Sequence, residues 1–171
     1  MQVNEGWGAD VQGSGGRQSA FVHVAPGLEL RFVVTSDVPV RYDGHWEGVG
    51  IRPCAGEGCP LCAAGVGRQQ RWVLAVLVFD TWRAACWEFG QGVAREFQKQ
   101  GLTGVSLRGL GFRIYKLGRD RRSATAFELD GEVSDRAALA FGLTSTGTAD
   151  LPPGLSAPDV LREWWKSQGW V

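Results

Sequence analysis

The sequence contains no run of eighteen consecutive apolar residues, so we expect no helix long enough to cross a membrane. Its first residues also lack the basic start and the apolar stretch that form a secretory leader. Both absences favour an intracellular, reducing environment. In such an environment cysteines serve as metal ligands more often than as disulfide partners.

A net charge is missing as well, because 18 Lys and Arg residues balance 18 Asp and Glu residues. The charges are nevertheless unevenly spread along the chain. Residues 41–122 hold thirteen basic and seven acidic side chains, whereas residues 123–171 hold three and seven. A basic middle beside an acidic C-terminal part is compatible with a nucleic-acid-binding surface and also with ordinary surface scatter. Charge alone leaves both interpretations open.

The sequence also lacks the motifs that usually identify an enzyme. It has no phosphate-binding glycine loop followed by Lys-Ser or Lys-Thr, no nucleophile elbow and no H-E-x-x-H pattern. We also find no pair of acid and base residues in a recognisable arrangement. We therefore expect a protein that is not an enzyme.

What the sequence does contain is a series of short, strongly apolar segments with strand periodicity. Alternation and β-branched residues predict strands over 28–34 (continuing through 38–42 after a kink), 71–79, 84–89, 112–117 and 125–130. Helical spacing predicts helices over 92–100 and 159–168, and Ser134 is expected to cap another. This pattern predicts a mainly β fold: an OB-like five-stranded barrel with one short helix between two hairpins and a C-terminal helix.

The composition divides the chain into four regions. We expect a flexible arm at 1–19, an OB-like domain at 20–143 with an insertion at 44–70, a linker at 144–158 and a helical segment at 159–171. The last segment carries Trp164, Trp165 and Trp170. A helix this short needs a surface to pack on. Its own barrel, a neighbouring subunit in a self-associated assembly, or a partner protein could each provide that surface.

The insertion contains the pattern His45-x8-Cys54-x4-Cys59-x2-Cys62. Zinc prefers four nitrogen or sulfur ligands in a tetrahedron, and a C-x2-C turn supplies two of them. Gly56 and Gly58 give the loop conformational freedom. The insertion has few apolar residues of its own, so a metal would supply its folding energy. The spacing thus predicts a structural zinc site with His45 as the fourth ligand, and Cys86 is the alternative to His45. Redox and catalytic uses of the cysteines fit the sequence less well.

The chain contains eight tryptophans, of which Trp46 and Trp72 lie in or beside this insertion, and arginines flank the insertion and crowd the last predicted hairpin. Cations that follow phosphates, interleaved with rings that stack on bases, are typical of surfaces that bind single-stranded nucleic acid. Each aromatic could equally belong to the core. The predicted nucleic-acid-binding residues are Arg41, Tyr42, Trp46, Arg68, Arg71, Trp72, Arg113, Tyr115, Lys116, Arg119, Arg121 and Arg122.

Residues 44–130 resemble the zinc-containing single-stranded DNA-binding proteins of tailed phages and mobile elements. The resemblance lies in the segments 44–46, 54–62, 71–72, 87–90 and 109–115. It implies an OB fold with a zinc insertion, ligands at His45, Cys54, Cys59 and Cys62, and groove aromatics at Tyr42, Trp72 and Tyr115. It also implies a protein in the cytoplasm of a bacterial or phage-infected cell.

The resemblance further implies a protein that coats single-stranded DNA in replication, recombination or repair. Residues 159–171 do not match the strongly acidic tail by which such proteins recruit replication or recombination partners, because they hold two acidic and two basic side chains. Recruitment through the C-terminal segment would then need another mechanism. Two alternatives remain: a zinc-stabilised protein–protein adaptor in a nucleoprotein complex, and an RNA-binding OB module.

Overall fold

The computed structural model describes residues 20–171, so the predicted arm at 1–19 lies outside the described residues. The strands are β1 (Glu29–Val34), β2 (Val40–Trp46), β3 (Ile51–Pro53), β4 (Arg68–Val78), β5 (Ala84–Gly90), β6 (Gly111–Lys116) and β7 (Thr125–Leu129). The helices are α1 (Pro60–Ala63), α2 (Gln91–Lys99), α3 (Gly131–Phe141) and α4 (Ala157–Ser167). The prediction of a mainly β fold is confirmed.

All seven strands belong to one antiparallel sheet in the order β3-β2-β4-β1-β6-β7, and β5 pairs with the other side of β4. The long strand β4 is shared: its first half pairs with β2 and its last residues pair with β1. The kink predicted near Asp37 and Pro39 separates β1 from β2, and β3 forms inside the insertion. The sheet therefore has seven strands where the sequence predicted five.

The sheet does not close into a barrel. Within residues 20–171, β5 and β7 are not paired with each other, and the edges of these two strands remain apart. A short segment before β1 lies along the β5 edge, where Phe21 bridges Cys86 in parallel and Val22 donates to the Cys86 carbonyl over 2.8 Å. This arrangement leaves an opening between β5 and the β6–β7 hairpin.

Both faces of the sheet bury apolar side chains, because successive residues of a strand point to opposite sides. The larger cluster contains aromatic residues from strands and α2, namely Phe32, Trp87, Phe89, Phe97, Phe112 and Phe127. Residues of opposite parity form two further clusters on the other side. Val73 and Cys86 pack against α4, and Val33 and Leu77 pack against α3.

The regions after β7 pack on this second side of the sheet. Helix α3 begins at Gly131, earlier than the predicted cap at Ser134, because the Asp130 carboxylate accepts the Val133 amide and caps the helix there. In the segment predicted to be a linker, Ala149 and Leu151 are buried. Arg108 donates to the carbonyls of Thr35 and Leu151 and so fastens this segment to β1.

Helix α4 packs on the sheet of its own chain. Leu161 is buried against Val73 and Cys86, and the Trp165 ring meets the Tyr42 ring edge-on at 5.2 Å between centroids. Among the alternatives for the C-terminal segment, the structure shows this intramolecular contact. In the described part of the chain, no helix is long and apolar enough to cross a membrane.

A candidate metal centre and an adjoining groove

The four predicted ligands come together at the tip of the β2–β4 hairpin. His45 lies on β2, Cys54 follows β3, and Cys59 and Cys62 lie at the start of and within α1. Their ligand atoms all lie within 4.8 Å of one another. The turn between Cys54 and Cys59 needs Gly56 and Gly58, whose φ angles are 80° and 77°. The predicted grouping of these residues is confirmed.

The separations between the ligand atoms fit a tetrahedral metal ion. The Sγ atoms of Cys54 and Cys62 are 3.6 Å apart, and His45 Nε2 lies 3.6 Å from Cys59 Sγ and 3.4 Å from Cys62 Sγ. A tetrahedron with metal–sulfur bonds of about 2.3 Å has edges of about 3.8 Å. These three separations are close to such edges, so the arrangement is compatible with the binding of one ion by the four side chains.

Hydrogen bonds prepare two of these side chains for metal binding. His45 is fully buried, and its Nδ1 atom donates toward the carbonyls of Val66 and Gly67 over 3.0 and 3.2 Å. This leaves the Nε2 lone pair directed at the cysteines. The backbone amide of Cys62, supported by further amides, lowers the pKa of Cys59 to about 6 and favours its thiolate.

Cys86, the alternative fourth ligand, is not part of this centre. It is fully buried in β5 beneath α4, and burial raises the pKa of its thiol to about 12. Such a cysteine behaves as a small apolar residue. Arg68 is the basic residue that does contact the centre, because its guanidinium donates to Cys62 Sγ over 3.4 Å.

The opening between β5 and the β6–β7 hairpin forms a groove of about 1080 Å³. Trp46 and Tyr115 contribute aromatic rings to its lining, and Trp46 is 46% exposed. The other predicted nucleic-acid-binding residues that line it are Arg71, Lys116, Arg121 and Arg122. Six of the twelve predicted residues therefore share one groove.

Burial and the proximity of Arg71 lower the pKa of Lys116. Its ammonium group donates to the Ser123 carbonyl over 3.1 Å and forms no ion pair with a carboxylate of residues 20–171. A bound anion would favour the charged form of this lysine. This part of the groove is therefore electrostatically suited to a phosphate group.

The other six predicted residues lie elsewhere. Tyr42 faces α4, and Trp72 stacks on Phe89 and lines a separate apolar cavity of about 240 Å³. Arg113 forms ion pairs with Glu29 and Glu128, and Arg119 is exposed in the β6–β7 turn. The remaining two are Arg41, 4.0 Å from Asp43, and Arg68 at the metal centre.

Most residues that line the groove were not predicted from the sequence, and three of them show why. His23 lines it from the segment before β1, Gln69 from β4 and Glu88 from β5. A signal for Glu88 was present, because a single acid stands in an otherwise apolar strand. No local signal marks His23 or Gln69, since their position depends on strand pairing.

Comparison of this chain with protein-family models, with curated proteins and with solved structures found no match. The functional argument therefore depends on the geometry of the metal centre and the groove.

Proposed function

We propose that this protein binds single-stranded nucleic acid, with single-stranded DNA as the preferred ligand, in the groove between β5 and the β6–β7 hairpin. The observation that carries the proposal is the combination within one groove of Trp46 and Tyr115 with Lys116, Arg121 and Arg122. The aromatic rings would stack on unpaired bases, and the cations would follow the phosphates. The proposed role is to coat exposed strands in replication, recombination or repair.

The order of strand pairing supports an OB-type assignment for the β domain. If β1 and β2 are counted as one bent strand, the pairs are first with second, second with third, first with fourth and fourth with fifth. Helix α2 lies between the third and the fourth. An OB fold is a partly open barrel with a ligand-binding face, so the opening between β5 and β7 is compatible with it.

We further propose that the ion at the His45, Cys54, Cys59 and Cys62 centre is a structural zinc. Three thiolates and one imidazole are a common ligand set for structural zinc. All four tetrahedral positions are filled by protein, which leaves no position for a reactive water. The ion would hold the tip of the β2–β4 hairpin, and Trp46 follows the ligand His45 directly on β2. The zinc would therefore fix the position of one groove aromatic.

The resemblance to zinc-containing single-stranded DNA-binding proteins of phages and mobile elements supports the same assignment. It also implies a cytoplasmic setting in a bacterial or phage-infected cell. The adaptor alternative draws less support, because Trp165 of the C-terminal helix packs on Tyr42 of its own chain. RNA remains an alternative ligand, because an aromatic and basic groove does not by itself read the 2′-hydroxyl.

The proposal is tested by titrating intrinsic tryptophan fluorescence with single-stranded DNA, duplex DNA and single-stranded RNA at two salt concentrations. We expect single-stranded DNA to quench the fluorescence and bind most tightly, with an affinity that falls steeply as salt rises. The variant Trp46→Phe should lose much of the quenching. Trp165→Phe, outside the groove, is the matched control and should retain it. Equal affinity for duplex and single strands would contradict the stacking model.

A further inference from the structure

Glu88 is an acidic residue in a groove that we propose binds a polyanion. Its side chain is only 4% exposed. The Tyr42 hydroxyl donates to one carboxylate oxygen, and the Arg71 guanidinium donates to the other over 3.0 Å. Burial raises the pKa of Glu88, while Arg71 and Tyr42 oppose that rise. Both oxygens are thus bonded, which is the condition under which a charge is tolerated away from water.

Arg71 is held in one place by this carboxylate and by the strand beside it. The two residues lie on neighbouring strands, and Gly90 lies directly opposite Arg71. A Cβ atom at position 90 would lie 2.7 Å from Arg71 Nη1, so the guanidinium in its present position lies close over the Gly90 backbone. The Arg71 side chain keeps 23% of its surface exposed. It lines both the groove and an adjoining cavity of about 490 Å³.

The Arg71–Glu88 pair has no net charge when both groups are ionised. It therefore differs from Lys116 and Arg122, whose side chains form no ion pair with a carboxylate of the described chain. An arginine whose charge is balanced by a carboxylate is only weakly attracted to a phosphate. Its flat guanidinium can still stack on a base and donate to a base edge. Glu88 would fix the orientation of that plane.

We propose that Arg71 contacts a nucleobase rather than a phosphate of the bound strand, and that Glu88 is its positioning residue. This inference rests on the proposed function. It adds a base-contacting wall formed by β4 and β5, opposite the β6–β7 hairpin that carries the phosphate-binding cations and the Tyr115 ring. The Tyr42–Trp165 contact links the base-contacting wall to helix α4.

The test measures affinity for single-stranded DNA as a function of salt, because the slope counts phosphate contacts at about 0.7 for each. The double variant Arg71→Gln/Glu88→Gln replaces a neutral pair by a neutral pair of similar size. We expect it to bind roughly tenfold more weakly with an unchanged salt slope. The single variant Glu88→Gln frees the Arg71 charge and should make the slope steeper by up to about 0.7. Arg122→Gln is the matched control and should make the slope shallower by about 0.7.

A second readout uses an abasic oligonucleotide, which offers phosphates without bases. Wild type and the double variant should bind it equally well, while Arg122→Gln should bind it more weakly. Circular dichroism and metal content confirm that each variant is folded. A salt slope that falls by about 0.7 in the double variant would place Arg71 on a phosphate and overturn this inference alone. Failure of wild type to bind any single strand would overturn the proposed function as well.

Discussion

The hairpin tip with the four candidate metal ligands and the aromatic core are stabilised in different ways. In the core, six aromatic side chains from β1, α2 and the β5–β7 region contact one another, and Phe32 and Phe112 are fully buried. Between residues 44 and 67, only Ile51, Cys59 and His45 have buried side chains. The core can form through the hydrophobic effect alone, whereas the tip depends on its ligand set. The two regions should therefore respond independently to mutation and to metal removal.

The largest effect is expected from a change in the core. Phe112→Ala removes a fully buried ring that contacts Phe97 and Phe127 at centroid distances of 5.7 and 5.6 Å. It should lower the free energy of unfolding by about 3–5 kcal/mol. Denaturant unfolding followed by circular dichroism measures this change. Loss of the metal from the folded fraction of this variant would show that the two regions are not independent.

A similar but smaller change tests whether α4 belongs to the folded unit. Leu161→Ala removes a side chain that is 2% exposed beneath this helix. We expect a loss of about 2–4 kcal/mol, because a cavity would form against Val73 and Cys86. The exposed Leu139, on α3, provides the matched control, and Leu139→Ala should leave stability nearly unchanged. Equal stability of both variants would mean that α4 contributes little to folding.

At the tip, substitution of a ligand should act locally. Cys59→Ser is expected to release the metal and to increase hydrogen exchange across residues 44–67, while the strands of the core keep their protection. Cys86→Ala is the control, because that thiol lies outside the centre and the variant should keep its metal. Global unfolding of Cys59→Ser would instead show that the core also depends on the ion.

The smallest effect concerns an ion pair that supports α3. Hydrogen bonds from Arg31 lower the pKa of Asp130, so this carboxylate contributes stability above the pKa of an unfolded Asp, about 3.9. The contribution is lost as pH falls through the lower folded pKa. Asp130→Asn keeps a good helix cap but removes the charge. Its stability deficit at pH 7, at most about 1 kcal/mol, should shrink as the pH falls below the pKa of an unfolded Asp, which denaturant unfolding at several pH values measures.

The same contrast explains what could be predicted from the sequence. The metal ligands follow from local spacing, since three cysteines and a histidine within eighteen residues leave few arrangements. Strand positions follow from alternation, as in β4 and β5. The alternation of apolar residues assigns Tyr42 and Trp72 each to one face of its strand, but it does not predict which part of the chain covers that face. The positions of α4 over Tyr42 and of Phe89 beside Trp72 arise from contacts between distant parts of the chain.

The groove was predictable only in part for the same reason. Lys116, Arg121 and Arg122 are close in sequence, so one hairpin brings them together. Glu88 meets Tyr42 and Arg71 only because β2 and β5 flank β4. A single buried acid in a strand indicates a specific partner, but pairing determines which one. The missing pairing between β5 and β7, which creates the groove, has no local signature at all.

Metal analysis of the protein, purified under anaerobic conditions without added metal, tests the central claim most directly. The account predicts about one zinc ion per chain, retained through size-exclusion chromatography and released when the thiols are modified. Protein that is folded, carries four reduced thiols and contains no metal would contradict it, because the tip would then be held together without the ion for which its ligands are arranged.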